Sequence, residues 1–287
     1  MRTVAATRLA VAAALVAALV ACGRSGPAPG AAPGRTAVPP SGSRAIAPPG
    51  VSPSAQATQL APPSPGSAQS AAAPVTGRLA GTDWTAIPTT RRVVALTFDA
   101  GANADAVTSI LATLRREHVP ATFFLTGDFV RAFPAAARAI AAAGHRIGDH
   151  TITHPHLSRL SNTAVRDEIV GGAQQITAVT GASPAPLFRF PYGDASARTI
   201  ALANQAGYVP VRWTVDTLGW EGTSGHISAT VVTARVLAAL RPGEIVLMHV
   251  GSNPDDHSTL DADALPRVIS ELRAHGYTFV TLDMLVG

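Results

Sequence analysis

The chain has 287 residues, long enough for one α/β domain of ordinary size plus extra segments. Its net charge of +4 comes from residues 1–78, which carry six Arg and no acidic residue; residues 79–287 carry 16 Arg against 18 Asp and Glu, a net of −2. The folded part therefore has no basic stripe for nucleic acid, and the absence of any Lys excludes a lysine Schiff base or a phosphate-loop lysine.

Arg2 and Arg8 precede an apolar run from Leu9 to Ala21. The run is shorter than the roughly 20 residues of a membrane span and suits the apolar core of a secretory signal. It ends in Leu19-Val20-Ala21-Cys22-Gly23, which resembles a bacterial lipobox. Cys22 is the only cysteine, so no intramolecular disulfide is possible, and lipid attachment gives the lone thiol a purpose. Residues 1–22 thus read as a lipoprotein signal peptide, with the protein anchored to the outer face of the cell membrane. The alternative is a secreted protein cleaved nearby.

Residues 23–80 read as a tether. The stretch from Gly23 to Arg78 has no aromatic residue and holds 12 of the 23 prolines among Ala, Gly and Ser, too little apolar surface to offset the entropy of ordering. As a coil it would reach about 40 Å, and fully extended roughly 170 Å.

From Gly81 to Gly287 short apolar runs alternate with helix-like stretches. The strand candidates are Val93–Phe98, Ala121–Thr126, Arg146–Asp149, Leu187–Phe190, Val209–Val215, Glu244–Met248 and Thr278–Leu282. Most are continuously apolar, as strands covered on both faces should be. The helix candidates are Asp105–Glu117, Phe129–Ala143, Thr163–Thr180, Ser196–Ala206, Ser228–Leu240 and Ala262–His275, with Asn103 capping the first and Asn162 or Ser161 the third. Seven strands alternating with helices imply a parallel sheet. Asp99, His150, Arg189, Asp216 and His249 fall at or just past five different strand ends, which favours a barrel mouth over a single switch point.

In this order the strand-end tags resemble the polysaccharide deacetylases of the NodB-homology type, carbohydrate esterase family 4. Thr97-Phe98-Asp99-Ala100-Gly101 stands where the family has TFDDG. His150-Thr151-Ile152-Thr153-His154-Pro155 matches HTxxHP, and Arg189-Phe190-Pro191-Tyr192-Gly193 matches RxPYG. Asp216-Thr217-Leu218-Gly219-Trp220 resembles DxxDW, and Leu247-Met248-His249 matches the final LxH segment. The resemblance implies a distorted, incomplete (β/α) barrel of about seven parallel strands.

It also implies roles for these residues. His150 and His154, four apart on a tight turn, would ligate a divalent metal, zinc or else cobalt or manganese; without the flanking motifs they would read as turn histidines. Asp99 would be the general base and His249 the general acid. Arg189 would hold Asp99 ionised, and Asp216 would orient His249, although the second acidic position of that segment is Gly219. The Tyr192 backbone N–H would face the oxyanion, and Tyr192 and Trp220 could stack on sugar rings.

Ala100 replaces the Asp that is the third metal ligand of the family. Asn103 or Asp105 could substitute, although both also suit a helix start; Asp149 should point away from His150. A two-His site completed by water, or no metal, are the other outcomes. A rearranged metal site is the reading the sequence favours.

The function expected is an N-deacetylase acting on N-acetylated amino sugars of the cell wall, peptidoglycan foremost, as a monomer with no nucleic-acid partner. The alternatives are an O-acetyl esterase of the xylan type and a catalytically silent wall-binding lipoprotein. A glycosidase would need two carboxylates across the sugar. The loops Gly219–Ile227 and Gly251–Asp263 should shape the substrate groove, with His226 and His257 facing solvent.

Overall fold

Strand β1 (Val93–Ala100) is buried at every position, and its alternate residues serve two cores. Val94, Leu96, Phe98 and Ala100 face a large cluster shared with the helices, whereas Ala95 faces a smaller one with Phe124, Leu187, Val211 and Ile245. A strand with both faces covered has no polar side to keep, which is why its sequence is continuously apolar. The computed structural model describes residues 73–287.

Seven parallel strands follow one path: β5 (Val209–Pro210), β4 (Leu187–Phe188), β3 (Arg146–Asp149), β2 (Thr122–Leu125), β1, β7 (Glu244–His249) and β6 (Val215–Asp216). A short eighth strand, β8 (Thr278–Phe279), pairs with the beginning of β1. The single strand expected over Val209–Val215 is thus two, β5 against β4 at one end of the path and β6 against β7 at the other. The residues between them cross an open seam, and Pro210 has no N–H with which to extend β5. Trp84 bridges Val211 and Ala86 bridges Glu244 across this gap, so the sheet curls into an incomplete barrel.

Helices pack outside. Of these, α1 (Val107–Arg116) starts later than expected, with Ala106 at its N-cap and no side-chain cap. The helix expected over Phe129–Ala143 is two, α2 (Gly127–Ala132) and α3 (Pro134–Ala142), because Pro134 lacks an N–H and pushes Phe133 out of helical geometry. Ser161 rather than Asn162 caps α4 (Asn162–Thr180), its Oγ accepting from Ala164 N at 3.2 Å. Ser196 and Ser228 cap α5 (Ala197–Gln205) and α6 (Ala229–Ala238) in the same way. Then follow α7 (Leu260–Ala274), with Asp261 and Asp263 in its first turn, and the short α8 (Asp283–Val286).

The domain begins before the expected Gly81. Val75 N donates to Asn204 O at 2.8 Å, and Val75 and Leu79 pack on the inner core. The signal segment, Cys22 and the tether up to residue 72 lie outside the described residues. Among the described residues no helix is long and apolar enough to cross a membrane.

Candidate active site

Strand register builds the site. Asp99 pairs with His249 across β1 and β7, so a carboxylate and an imidazole sit side by side where both strands end. Strand parity continues the inward column Ala95, Thr97 to Asp99, which is 7% exposed at the foot of a cleft of about 350 Å³. His150, His154, Tyr192, Trp213, Trp220 and His249 line that cleft with it.

Arg189, fully buried at the end of β4, anchors this half. Its Nη1 donates to Asp99 Oδ1 at 2.7 Å, Nε to Val211 O at 3.0 Å and Nη2 to Arg212 O at 2.9 Å. The guanidinium lies 4.1 Å from the centroid of the Phe124 ring. Burial alone would raise the Asp99 pKa, but the adjacent Arg189 charge, with His249 when protonated, more than reverses that and holds it below its ordinary value.

His150 Nδ1 donates to Arg189 O at 2.8 Å, so its Nε2 turns a lone pair toward Asp99 Oδ2 at 3.4 Å. His154, at φ 60, stands with its ring centroid 4.7 Å from that of His150 and 4.5 Å from that of Tyr192. Burial lowers the pKa of both imidazoles, to about 4 for His154, where the neighbouring His150 adds to the effect. Both are neutral at pH 7. Thr151, His154, Tyr192 and Leu218 all hold positive φ on loops around the cleft, a concentration of backbone strain typical of sites whose geometry is enforced.

The other half differs from the expectation. Asp216 does not orient His249: its Oδ1 accepts Leu218 N at 2.9 Å and so ties down its own turn. The carboxylate beside His249 is Asp261 of α7, whose Oδ2 accepts His249 N at 2.8 Å and lies 3.7 Å from Nδ1. Burial alone would lower the His249 pKa, but Asp261, Asp99 and Asp216 outweigh it and hold the imidazole above its ordinary value. Sequence reasoning missed Asp261 because it lies in the polar stretch assigned to the groove. Trp220 and Tyr192 are 49% and 60% exposed at the cleft, open for stacking. His226 and His257 are exposed.

Two of the three protein donors usual at a catalytic zinc are present, His150 and His154. Neither proposed substitute supplies the third. Asn103 Oδ1 accepts Ser252 N at 2.8 Å and its Nδ2 donates to Ser252 O at 3.1 Å, while Asp105 Oδ2 accepts from Ser252 Oγ. Both side chains bind the β1 and β7 loops together instead. Asp149 is buried beneath Thr151, its Oδ1 accepting Thr151 N at 3.1 Å. Ala100 adds only a methyl to the helix-facing core. Among the described residues no group of three His, Cys, Asp or Glu is placed to hold a metal ion, so the donor set does not complete a three-ligand centre.

The family model described as polysaccharide deacetylase matches residues 86–211. The chain is 35% identical over 198 residues to the peptidoglycan-N-acetylglucosamine deacetylase of Bacillus cereus, covering 69% of this chain and 70% of that one. The chain belongs to the polysaccharide deacetylase family. Among solved structures, the Bc1960 peptidoglycan N-acetylglucosamine deacetylase superposes with a TM-score of 0.64 at 34% identity, covering 70% of this chain and 91% of the other. This family fold also carries inactive members: BA3943 of Bacillus anthracis, described as a pseudoenzyme, superposes with a TM-score of 0.62 at 28% identity, covering 69% and 66%.

Proposed function

We propose that this deacetylase-family protein is a hydrolase that removes N-acetyl groups from amino sugars of cell-wall polysaccharide, peptidoglycan foremost. The observation that carries the proposal is the pairing of Asp99 and His249 at one barrel mouth, with their pKa values pushed apart. Such a pair divides the labour of base and acid at neutral pH. Asp99, ionised by Arg189, takes a proton from water as its oxygen adds to the acetyl carbonyl carbon. The carbon–nitrogen bond then breaks as His249 gives its proton to the departing amine, leaving acetate and a free amino sugar. The Tyr192 backbone N–H serves as a donor to the oxyanion. No step of this reading depends on a bound metal.

The likeness to named peptidoglycan deacetylases supports the substrate class. The lipobox-like Cys22 supports anchoring at the outer face of the membrane, beside such a polymer. An O-acetyl esterase is the second reading, favoured by the incomplete donor set, because an ester needs less electrophilic help than an amide.

The test is acetate release from N-acetylated peptidoglycan and from an acetylated ester substrate, with Asp99→Asn alongside. Acetate and new free amines from the amide polymer, falling by roughly 10²–10⁴ in Asp99→Asn, are expected. Release from the ester alone would replace the first reading with the second. Binding to the polymer without release from either would leave a silent wall-binding protein.

A further inference from the structure

Gly219 stands in the turn between Asp216 and Trp220, where the family segment carries its second acid. Its φ lies outside the left-handed region, so its backbone does not require glycine. What excludes a side chain there is another side chain. A Cβ on Gly219 would stand 2.3 Å from Asp261 Oδ1, 2.5 Å from its Cγ and 2.8 Å from its Oδ2. The space beside residue 219 is already filled by a carboxylate brought in from α7.

We propose that Asp261 replaces the carboxylate absent at position 219: it is the positioning residue that orients His249 and stabilises its acid form, and Gly219 is the vacancy that admits it. This rests on the reading of His249 as the general acid.

Each Asp261 oxygen is accounted for. Oδ1 accepts the Thr217 hydroxyl at 2.6 Å, and Oδ2 accepts His249 N at 2.8 Å with His249 Nδ1 3.7 Å away. The side chain is 4% exposed, and the first turn of α7 favours its negative charge. His249 Nδ1 is a buried ring nitrogen with no hydrogen-bond partner, so a small ring movement toward Oδ2 would satisfy it. Catalytic hydrogen bonds are often long until substrate binds. The other acids near His249 have separate duties: Asp99 is held by Arg189, and Asp216 caps its own turn. His150 and His154 face it from the loop after β3, and both are neutral.

The experiment is an NMR titration of the His249 ring in the full chain, assigned with His249→Gln, together with acetate release against pH. It compares the unmodified protein with Asp261→Asn, Gly219→Asp and the exchange Gly219→Asp/Asp261→Ala. In Asp261→Asn the His249 titration is expected to fall by about one unit or more, with kcat down about 10-fold or more at pH 8 and KM little changed. Gly219→Asp alone is expected to lose stability, since two carboxylates would share one space. The exchange is expected to restore the His249 titration, and to regain about 10-fold of the kcat that Asp261→Asn loses. An unshifted His249 in Asp261→Asn, or an exchange no better than Asp261→Asn, overturns the proposal. Should Asp261→Asn fail to fold, the exchange decides: a folded exchange with normal His249 titration supports the proposal, and an unfolded one overturns it. Absence of acetate release from the unmodified protein would refute the deacetylase reading alone, because the titration still tests Asp261.

Discussion

The two halves of the barrel mouth are built on different principles. On the Asp99 side, base, arginine and His150 all lie at strand ends and close on one another through short hydrogen bonds, with Arg189 fully buried at the centre. On the His249 side the acid sits at a strand end, but its carboxylate partner comes from a helix and its Nδ1 is unpaired. The first half is fixed by strand register and neighbouring motifs. The second depends on how a distant helix packs. A site can therefore keep its charge pattern while exchanging the element that delivers one of its charges.

Breaking the first half should have the largest effect. Arg189→Leu strands the buried Asp99 carboxylate without its counter-charge, a loss of about 3–5 kcal/mol. Thermal unfolding should fall by roughly 6–20 °C, and acetate release should vanish with it. A smaller fall, with activity retained, would mean that His150 or water compensates the charge.

Supplying the missing donor should sharpen the comparison next. Ala100 is fully buried, so in metal-stripped protein Ala100→Asp should lower Tm by burying an unpaired carboxylate. Zinc should reverse that fall, and calorimetric zinc affinity should rise about 10-fold or more over the unmodified protein. Zinc binding by the unmodified protein should disappear in His150→Ala/His154→Ala. Equal affinities with and without Asp at position 100 would show that a side chain there stays on the helix-facing side of β1 and does not reach the imidazoles.

The smallest effect should come from Asp216→Ala. Losing the turn hydrogen bond costs about 1 kcal/mol, and kcat should change less than about 3-fold. The pH profile gives the contrast its sign. Activity needs ionised Asp99 and protonated His249, so it is lost on the acid side as Asp99 takes up a proton and on the alkaline side as His249 gives one up. Asp216→Ala should leave the alkaline limb nearly in place, whereas Asp261→Asn moves it to lower pH. Equal displacement in the two variants would return Asp216 to the role that the sequence suggested.

The fold was legible wherever local pattern decides it. Apolar runs located the strands, Ser161, Ser196 and Ser228 marked helix starts, and strand-end motifs located Asp99, Arg189 and His249. Pro134 is a break in the helix after β2 that the sequence itself displays. The split of Val209–Val215 was not readable, because each half is defined by the neighbour it pairs with. Asp261 and Asp263 look alike in sequence as first-turn acids of α7; only the packing of that helix on the β6 turn buries the former at 3% exposure and leaves the latter exposed. The Ser252 partner of Asn103 and Asp105 is equally invisible in sequence, since it lies in the loop after β7.

The strip that closes the barrel seam also gives the domain a direction. Val75, Gly81 and Arg78 are tied to Asn204 at the end of α5 and to Leu285 in α8, and Ala86 meets β7 at Glu244, the end of that strand remote from His249. The polypeptide therefore joins the domain at the pole opposite the cleft. A label attached near Val75 would therefore sit at the end of the barrel remote from Asp99 and His249.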